Sequence, residues 1–381
     1  MSNITHLECP ECSKSYSADT PASHCVCGSP LLVIYNLGYA ADAFNCGEFP
    51  TDINNMWRYS QLLPVRSPTF VVSLGEGWTP MTIARRLGKH LGLRLLRIKN
   101  ETLNPTGSFK DRGLCTAISK HLELGAKEFA LPSAGNAAIS TSAYCAAAGV
   151  PASIFMPEDT PEPFFRDCEM YGASTHRVKG TISDAGKKMS DMNRDWVNLS
   201  TTKEPYRVEG KKTMGFEIVE QLGWHVPDAI VCPTGGGTAL IGIWKALDEL
   251  EGIGVIGSER PRLYAAQSGD CAPIVRAIEL GRDSLEPWHD PHTEALGLRV
   301  PSPFAGRLIL SSIRRSGGSA VAVSETEIRP TQIMAARMEG IMMGPEAAVG
   351  LGGLRNLVEA GEIDFDEEVV LLNTGTNLRY V

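Results

Sequence analysis

A strand–turn–helix–strand succession between residues 129 and 156 constrains the fold more than any other stretch of the chain. Apolar residues 129–132 predict a short strand, residues 133–136 a turn, residues 137–149 an alanine-rich helix and residues 152–156 the next strand. A helix that connects two such strands makes them parallel neighbours in one sheet. The sequence therefore predicts an α/β protein whose ligands bind at the carboxyl ends of the strands.

One lysine, Lys110, lies in a loop of small residues just before a predicted helix. The loop spans residues 104–113 and contains Pro105 and Gly107, which break regular structure, while the apolar spacing of residues 114–122 predicts the helix. A lysine held rigidly and partly buried at such a junction has a lowered pKa, and a neutral amine can form a Schiff base. The alternative is a surface lysine beside a turn.

A run of three glycines follows another predicted strand, residues 229–233, and precedes a predicted helix over residues 240–250. Backbone N–H groups of glycines can approach an anion closely, and the start of the helix adds a favourable dipole. The run lacks the lysine of a nucleotide P-loop and the spacing of a dinucleotide fingerprint. We expect an anion cradle formed by Gly235, Gly236, Gly237, Thr238 and Ala239.

The first 35 residues contain two cysteine pairs, Cys9-x2-Cys12 and Cys25-x-Cys27. Each pair can supply half of a tetrahedral thiolate site, and a bound zinc ion would stabilise a module whose core is too small to fold alone. The alternative is a metal-free pair of strands with unused thiols. Ten cysteines without an export signal predict reduced thiols or metal ligands rather than disulfides.

Charge and hydropathy argue against several classes of function. The formal net charge of −8 argues against non-specific binding to nucleic acid or to anionic membranes, although a local basic pocket can still hold an anionic small substrate. No apolar run reaches the roughly 18 residues that a membrane helix needs, and residues 1–6 lack the pattern of a signal peptide. We therefore expect a cytoplasmic protein.

Several segments together resemble pyridoxal-phosphate enzymes of the tryptophan-synthase-β fold type, and threonine synthases in particular. Residues 104–113 resemble the cofactor-lysine motif, residues 75–80 the G-E-G-x-T-P segment, residues 204–213 the segment that closes over the substrate phosphate, and residues 374–380 the C-terminal tail. The N-terminal cysteine knuckle is also similar to that of several threonine synthases. The resemblance covers nearly the whole chain.

The resemblance implies a role for each matching residue. Lys110 matches the Schiff-base lysine, which also acts as general base and acid. Asn136 matches the partner of the cofactor's phenolic oxygen, and Thr374 the partner of its pyridine nitrogen. Arg207 is expected to bind the substrate anion, because a guanidinium binds phosphate through two parallel hydrogen bonds. The glycine run matches the cup for the cofactor phosphate. Further substrate contacts are expected from Ser108, Ser133, Ala134 and Lys211.

The resemblance also implies the architecture, two α/β domains of fold type II with parallel or mixed sheets after a small zinc-ribbon-like knuckle. The knuckle corresponds to residues 1–35, the large cofactor-binding domain to residues 36–113 and 213–381, and the small mobile domain to residues 114–212. The cofactor is expected in the cleft between the two domains. A homodimer is common in this fold type, and no allosteric effector domain is evident.

The implied reaction converts O-phospho-L-homoserine and water to L-threonine and phosphate. Three positions depart from the family pattern: Ala137 replaces a threonine that contacts phosphate, Asn377 replaces a glycine, and Arg379 replaces a lysine. Two alternatives therefore stay open. One is β-replacement or β-elimination on a related amino acid by a cysteate-synthase-like or serine/threonine-dehydratase-like enzyme. The other is a non-catalytic zinc-ribbon protein that binds a small anion.

Overall fold

The computed structural model describes residues 2–45, 52–192 and 194–380. Within these residues the strands, in chain order, are β1 Ile4–Glu8, β2 Ser15–Ser17, β3 Leu32–Tyr35, β4 Met81–Ile83, β5 Leu95–Asn100, β6 Phe129–Pro132, β7 Ala152–Pro157, β8 Ser174–Val178, β9 Val197–Asn198, β10 Ala229–Pro233, β11 Arg262–Ser268, β12 Ala320–Val323 and β13 Glu368–Asn373. The α-helices are α1 Leu37–Asn45, α2 Arg85–Leu91, α3 Lys110–Glu123, α4 Asn136–Ala148, α5 Glu162–Met170, α6 Ile182–Asp191, α7 Tyr206–Gln221, α8 Thr238–Gly252, α9 Pro273–Glu279, α10 Gly306–Arg315, α11 Glu325–Glu339 and α12 Pro345–Glu359. Short 3-10 turns occupy Met56–Leu62, Pro68–Phe70, Glu101–Leu103, Gly269–Cys271 and Leu296–Leu298.

The chain divides into two compact units. The first comprises Met1–Trp78 and Asn104–Thr213, and the second comprises Thr79–Leu103 and Met214–Val381. This division places residues 36–78 in the first unit, whereas the sequence analysis grouped them with the large domain. Buried contacts explain the difference, since the Cys115 thiol of α3 lies 3.8 Å from the Met56 sulfur. The assignment of a mobile and a cofactor-binding domain stays a prediction.

The first unit contains the cysteine knuckle and a four-stranded sheet. The knuckle is a three-stranded antiparallel sheet in the order β2-β1-β3. The larger sheet has the order β8-β7-β6-β9, and every neighbouring pair in it is parallel. All of β7 is buried, as expected of a parallel strand that is covered on both faces. The parallel sheet predicted from residues 129–156 is confirmed.

The second unit contains a six-stranded sheet in the order β12-β11-β10-β13-β5-β4. Its strands are parallel except β4, which runs antiparallel to β5 at the edge. Helix α12 packs on one face with small residues toward the strands. A Cβ atom on Gly350 would lie 2.8 Å from Pro233, and one on Gly353 would lie 2.9 Å from Ala266. These glycines allow helix and sheet to approach closely.

Two local predictions were wrong. From the sequence alone, the apolar residues 308–310 predict a strand that continues the sheet, but in the structure they lie in α10, where Ile309 and Ile313 face the core one helical turn apart. A run of three apolar residues fits a strand and a buried helix equally well. The spacing of residues 82–93 predicts one helix, but in the structure residues 82 and 83 belong to the edge strand β4 and α2 begins at Arg85. None of the described helices has the length and hydropathy to span a membrane.

Candidate active site

Lys110 is the first residue of α3, and the loop before it is closed by a buried carboxylate. Asp111 accepts hydrogen bonds from the backbone N–H of Thr106, at 2.7 Å, and from the Thr106 hydroxyl. Gly107 adopts a φ of 83°, and its N–H donates to the Asn104 carbonyl at 2.8 Å. Burial raises the pKa of Asp111 to about 6. Asp111 therefore positions the loop that presents Lys110.

The segment that resembles G-E-G-x-T-P is itself held by Glu76, and it contacts the lysine loop through the residue that follows. The buried Glu76 carboxylate accepts hydrogen bonds from the Trp57 indole N–H at 2.8 Å and the Tyr144 hydroxyl at 2.7 Å. The next residue, Gly77, has a φ of 90° and donates its N–H to the Asn104 side chain at 3.0 Å. Because Asn104 begins the lysine loop, this segment fixes one end of it.

A second lysine, Lys211, lies beside the same aromatic ring as Lys110. The Lys110 Nζ is 4.5 Å from the centroid of the Phe109 ring, and the Lys211 Nζ is 4.4 Å from the same centroid. Lys211 is fully buried, and its Nζ has no hydrogen-bond partner in the part of the chain that the structure describes. Burial, together with the charges of Lys110 and Arg207, holds the pKa of Lys211 well below that of an ordinary lysine.

Two glycines let α3 and α7 approach closely enough to bring Lys211 to this position. A Cβ atom on Gly210 would overlap the carbonyl oxygen of Arg112, so no other residue fits there. A Cβ atom on Gly113 would lie 2.8 Å from the Arg207 carbonyl oxygen and 3.2 Å from the Lys211 Nζ. The first turns of the two helices are thus in direct backbone contact.

The basic charge of residues 200–215 would also suit a solvated loop, but in the structure residues 206–215 form the buried start of α7. Arg207 is fully buried, and its Nη1 donates to the Leu199 carbonyl at 2.6 Å. The Glu204 carboxylate accepts the backbone N–H groups of Tyr206 and Arg207, each at 2.9 Å, and so caps the helix. The Arg207 Nε has no partner among the described residues, which leaves it able to donate to an anion.

At the carboxyl end of β6 the chain turns through Ser133 and Ala134 into α4. Both residues are half-buried, and the Ser133 N–H donates to the Phe155 carbonyl at 3.0 Å. Asn136 is the first residue of α4, one position earlier than the sequence analysis began this helix. Its side-chain oxygen is buried and has no hydrogen-bond partner within the described ranges. This amide can therefore bind a polar ligand atom.

The predicted anion cradle lies in the second unit, at the carboxyl end of β10 and the start of α8. Gly237 has a φ of 74°, and a Cβ on it would overlap the Ile309 side chain. A Cβ on Gly235 would lie 2.6 Å from the carbonyl oxygen of Gly297. Only glycine fits at these two positions, and the N–H groups in the first turn of the 15-residue helix that follows point toward the place where an anion could bind. The turn into α8 is formed by Gly235, Gly236, Gly237, Thr238 and Ala239.

Thr374 follows β13 directly and is buried at the carboxyl end of this central strand. Asn377, which departs from the family pattern, is also buried, and its side-chain oxygen accepts a hydrogen bond from the Gln332 amide at 3.0 Å. The same Gln332 nitrogen donates to the Met343 carbonyl at 2.9 Å. The asparagine therefore has a structural partner, which sequence reasoning did not foresee.

The knuckle cysteines converge to one point. The Sγ atoms of all four lie within 4.8 Å of one another, with 3.5 Å between Cys9 and Cys27 and 3.5 Å between Cys12 and Cys25. Zinc–sulfur bonds of about 2.3 Å in a tetrahedron place sulfur atoms about 3.8 Å apart, so the cluster fits a four-thiolate zinc site. The Tyr16 hydroxyl donates to the Cys25 sulfur at 3.2 Å, as a partner of a metal ligand does.

The knuckle is joined to α7 by a buried polar contact. The Tyr35 hydroxyl, at the end of β3, donates to the Glu209 carboxylate at 2.8 Å. The Lys212 Nζ donates to the same carboxylate at 2.6 Å and lies 4.1 Å from the centre of the Tyr35 ring. Neither charged side chain is accessible to solvent. The knuckle therefore shares an ion pair with the helix that carries Arg207 and Lys211.

Comparisons with known proteins identify the family of the chain. Residues 72–375 match the model of the family described as pyridoxal-phosphate dependent enzyme. Threonine synthase of Methanosarcina acetivorans is 37% identical over 98% of this chain and 92% of its own length. Threonine synthase of Methanocaldococcus jannaschii is 36% identical over 97% of this chain and 92% of its own length. That of Mycobacterium tuberculosis H37Rv is 32% identical over 87% of this chain and 91% of its own length.

Solved structures show the same fold. Maize serine racemase superposes with a TM-score of 0.68 at 21% identity, covering 79% of this chain and 88% of its own. The processed form of threonine deaminase isoform 2 from Solanum lycopersicum superposes with a TM-score of 0.66 at 20% identity, covering 79% of this chain and 79% of its own. These matches confirm the predicted fold class.

Residues in each unit fit pyridoxal phosphate. The first unit offers the Lys110 amine and the unpartnered Asn136 amide, and the second offers Thr374 and a turn in which two Cβ atoms would clash. The family model and the relatives then decide between an enzyme and a non-catalytic binding protein. The chain belongs to the family of pyridoxal-phosphate dependent enzymes, in its threonine synthase branch.

Proposed function

We propose that the protein is a threonine synthase, a lyase that converts O-phospho-L-homoserine and water to L-threonine and phosphate. The observation that carries the proposal is the pair of buried basic residues on α7, Arg207 and Lys211, one turn apart. Lys211 also shares the Phe109 ring with Lys110. The negative charge of a substrate phosphate would stabilise the protonated forms of these two basic groups, which burial otherwise disfavours. The names of the relatives support the same substrate class.

Lys110 would hold the aldehyde carbon of pyridoxal phosphate, Asn136 its phenolic oxygen and Thr374 its ring nitrogen. The cofactor phosphate would lie on the N–H groups of residues 235–239. When bound, the cofactor supplies an electron sink that makes protons on neighbouring substrate carbons removable. A hydroxyl partner, unlike a carboxylate, leaves the ring nitrogen largely unprotonated, which favours elimination and replacement.

The chain's own residues would then bind, orient and transfer protons. Lys110 Nζ would take one proton from the substrate Cα and one from Cβ as the Cγ–O bond to phosphate breaks, deliver one proton to Cγ, and return the other to Cα after the hydroxyl of water adds to Cβ. Ser133 and Ala134 would bind the substrate carboxylate at the start of α4. Arg207 donates to the phosphate, and Lys211 supplies a proton and a charge to the leaving phosphate. Ser108, which is buried beside Lys110, would orient the same group.

The departures from the family pattern bear on this assignment. Ala137 is buried in the first turn of α4 and offers no hydroxyl to a phosphate. Arg207 and Lys211 supply phosphate-binding groups from α7 instead. Asn377 is held by Gln332, so its replacement of a glycine is accommodated within the second unit. The missing hydroxyl at Ala137 also supports a second candidate, β-replacement or β-elimination on a related amino acid.

The test is phosphate release from O-phospho-L-homoserine by the cofactor-loaded protein, with the amino-acid product identified by mass. Borohydride should fix the cofactor on Lys110, so that the modified peptide is recognised by its mass. Arg207→Gln should raise the KM about tenfold to a hundredfold, because it loses charge-assisted hydrogen bonds. Arg166→Gln, at an exposed arginine in α5, is the matched control. Deamination of serine without phosphate release would favour the second candidate.

We further propose that Cys9, Cys12, Cys25 and Cys27 hold a structural zinc ion, since four protein ligands leave no open coordination position. We also propose a cytoplasmic homodimer, in keeping with the fold type, with residues 114–212 as the mobile domain. Light scattering of the purified protein tests the dimer, and a mass equal to one chain at all concentrations would contradict it.

A further inference from the structure

A cavity of about 590 Å³ lies within the first unit, at the end of α3 that is remote from Lys110. His121 and residues 124–128 form one wall, residues 195–198 another, and the knuckle loop 21–23 its rim. His121 is eleven residues from Lys110 along α3, which corresponds to about 16 Å. The volume is in the range of small-molecule sites, and the position is distinct from the proposed active site.

A buried histidine in the wall lacks the hydrogen bonds that its burial demands. His121 is 3% exposed, and neither ring nitrogen has a hydrogen-bond partner among the residues that the structure describes. Its Nε2 lies 3.8 Å from the Glu204 carboxylate, too far for a hydrogen bond. The ring packs edge-on against Tyr206 and Phe129, which fix its orientation. A bound donor between His121 and Glu204 would satisfy both groups.

The carboxylates among the residues that line the cavity favour a cationic ligand. Glu128 is paired with Arg194 at 3.0 Å, whereas no salt bridge among the described residues joins Asp195 or Glu204 to a lysine or arginine, and Lys127 lies at the exposed rim. Each oxygen of Glu204 accepts one backbone N–H and keeps a second lone pair. An ammonium group matches this pair of acceptors because it carries three donors and a positive charge.

We propose that this cavity binds a small primary ammonium compound, with the ammonium group donating to Glu204 and His121. Apolar atoms from Pro21, Leu124 and Val197, with the ring of Trp196, surround the remaining space and suit a short aliphatic body. A ligand with a carboxylate as well would place it near Lys127. The site is independent of the reaction proposed above and would exist in an enzyme with another substrate.

The test is titration calorimetry on the holoenzyme after borohydride reduction, which prevents amines from exchanging at Lys110. The probes are isobutylamine and L-valine, which share an isopropyl group and differ by the carboxylate. Isobutylamine should give saturable heat, and His121→Phe should weaken its binding at least about tenfold through loss of one charge-assisted hydrogen bond. Tighter binding of valine identifies amino acids as the ligands, and tighter binding of isobutylamine identifies simple amines.

Two further variants test whether the amine binds in this cavity. His90→Phe, at an exposed histidine in α2, should leave the affinity unchanged. Asp195→Lys changes only an exposed rim residue and should also weaken isobutylamine binding, so the test stands even when His121→Phe fails to fold. No saturable heat with either probe, or equal affinity in the wild type and the His121 and Asp195 variants, overturns the proposal. Neither result depends on catalytic turnover.

Discussion

Lys211→Met removes a buried amine and leaves a side chain of similar length. Because burial holds the pKa of Lys211 below that of an exposed lysine, the unfolded chain binds this proton more tightly than the folded one. The unfavourable contribution of Lys211 to folding is therefore largest below its folded pKa and disappears above the unfolded value near 10. Each unit of pKa depression costs about 1.4 kcal/mol at low pH.

A phosphate that binds beside Lys211 has the opposite effect to burial on the pKa of this lysine. Its negative charge stabilises the ammonium form and raises the pKa of Lys211, so binding should take up about one proton at a pH between the free and bound pKa values. In that interval the affinity for phosphate should fall about tenfold per unit increase in pH. The titration is made well above the second pKa of inorganic phosphate, where the ion is almost entirely the dianion and its own ionisation adds little to the proton count.

Calorimetry of inorganic phosphate in buffers with different heats of ionisation gives the number of protons taken up. We expect about one proton for the wild type and about zero for Lys211→Met. The variant should also bind phosphate about tenfold to a hundredfold more weakly, the loss of one hydrogen bond to a charged group. Lys203→Met, at an exposed lysine before α7, should match the wild type in both respects.

Equal proton uptake by the wild type and Lys211→Met would refute the reasoning. So would zero uptake in the wild type combined with weakened binding in the variant, since Lys211 would then already be charged before phosphate arrives. Unchanged affinity in the variant would show that Lys211 lies outside the phosphate site.

Three other predictions concern the supports of the site. Asp111→Asn should flatten the dependence of unfolding free energy on pH. The raised pKa of Asp111 stabilises the wild-type protein, and this contribution is fully present below about pH 4, near the pKa of the unfolded chain. The contribution is lost as the pH rises through about 6. Urea denaturation of the wild type should show a loss of about 3 kcal/mol over this range. Gly210→Ala should destabilise by at least about 2 kcal/mol through the clash with Arg112, whereas Gly186→Ala, inside α6 with no atom closer than 3.8 Å to the new Cβ, should be neutral or stabilising. Chelation should remove about one zinc ion per chain, measured by atomic emission, and lower the melting temperature; a metal-free protein with an unchanged melting temperature would contradict the zinc site.

The parallel sheets were predictable because the pattern that encodes them is local. Residues 129–156 contain two strands, a turn and the helix between them, so apolar periodicity and glycine placement suffice. The succession of strand, glycine turn and helix around residues 235–239 was predictable for the same reason, whereas anion binding by that turn stays a prediction. The helix α10 was not, because its apolar run at residues 308–310 is too short for periodicity to separate a helix from a strand.

The contact of the half-buried Lys110 and the buried Lys211 with one Phe109 ring could not be derived from residue patterns, because it depends on a contact between distant segments. Phe109 and Lys211 are about a hundred residues apart, and no local pattern links them. The available signal was two glycines, Gly113 and Gly210, each inside a helix that it weakens. A glycine inside a helix is typical of a position that another backbone approaches closely. Here both glycines lie where α3 and α7 contact each other.

The hydrogen bond from Tyr35 to Glu209 makes the N-terminal knuckle part of the support of α7. A chain shortened to begin after Tyr35 would leave the ion pair of Glu209 with Lys212 exposed on one side to water. With zinc bound as proposed, loss of the metal would loosen Tyr35 and then the helix that carries Arg207. Loosening of the knuckle alone would then weaken phosphate binding, so metal supply in the cell would affect how tightly the enzyme holds its substrate.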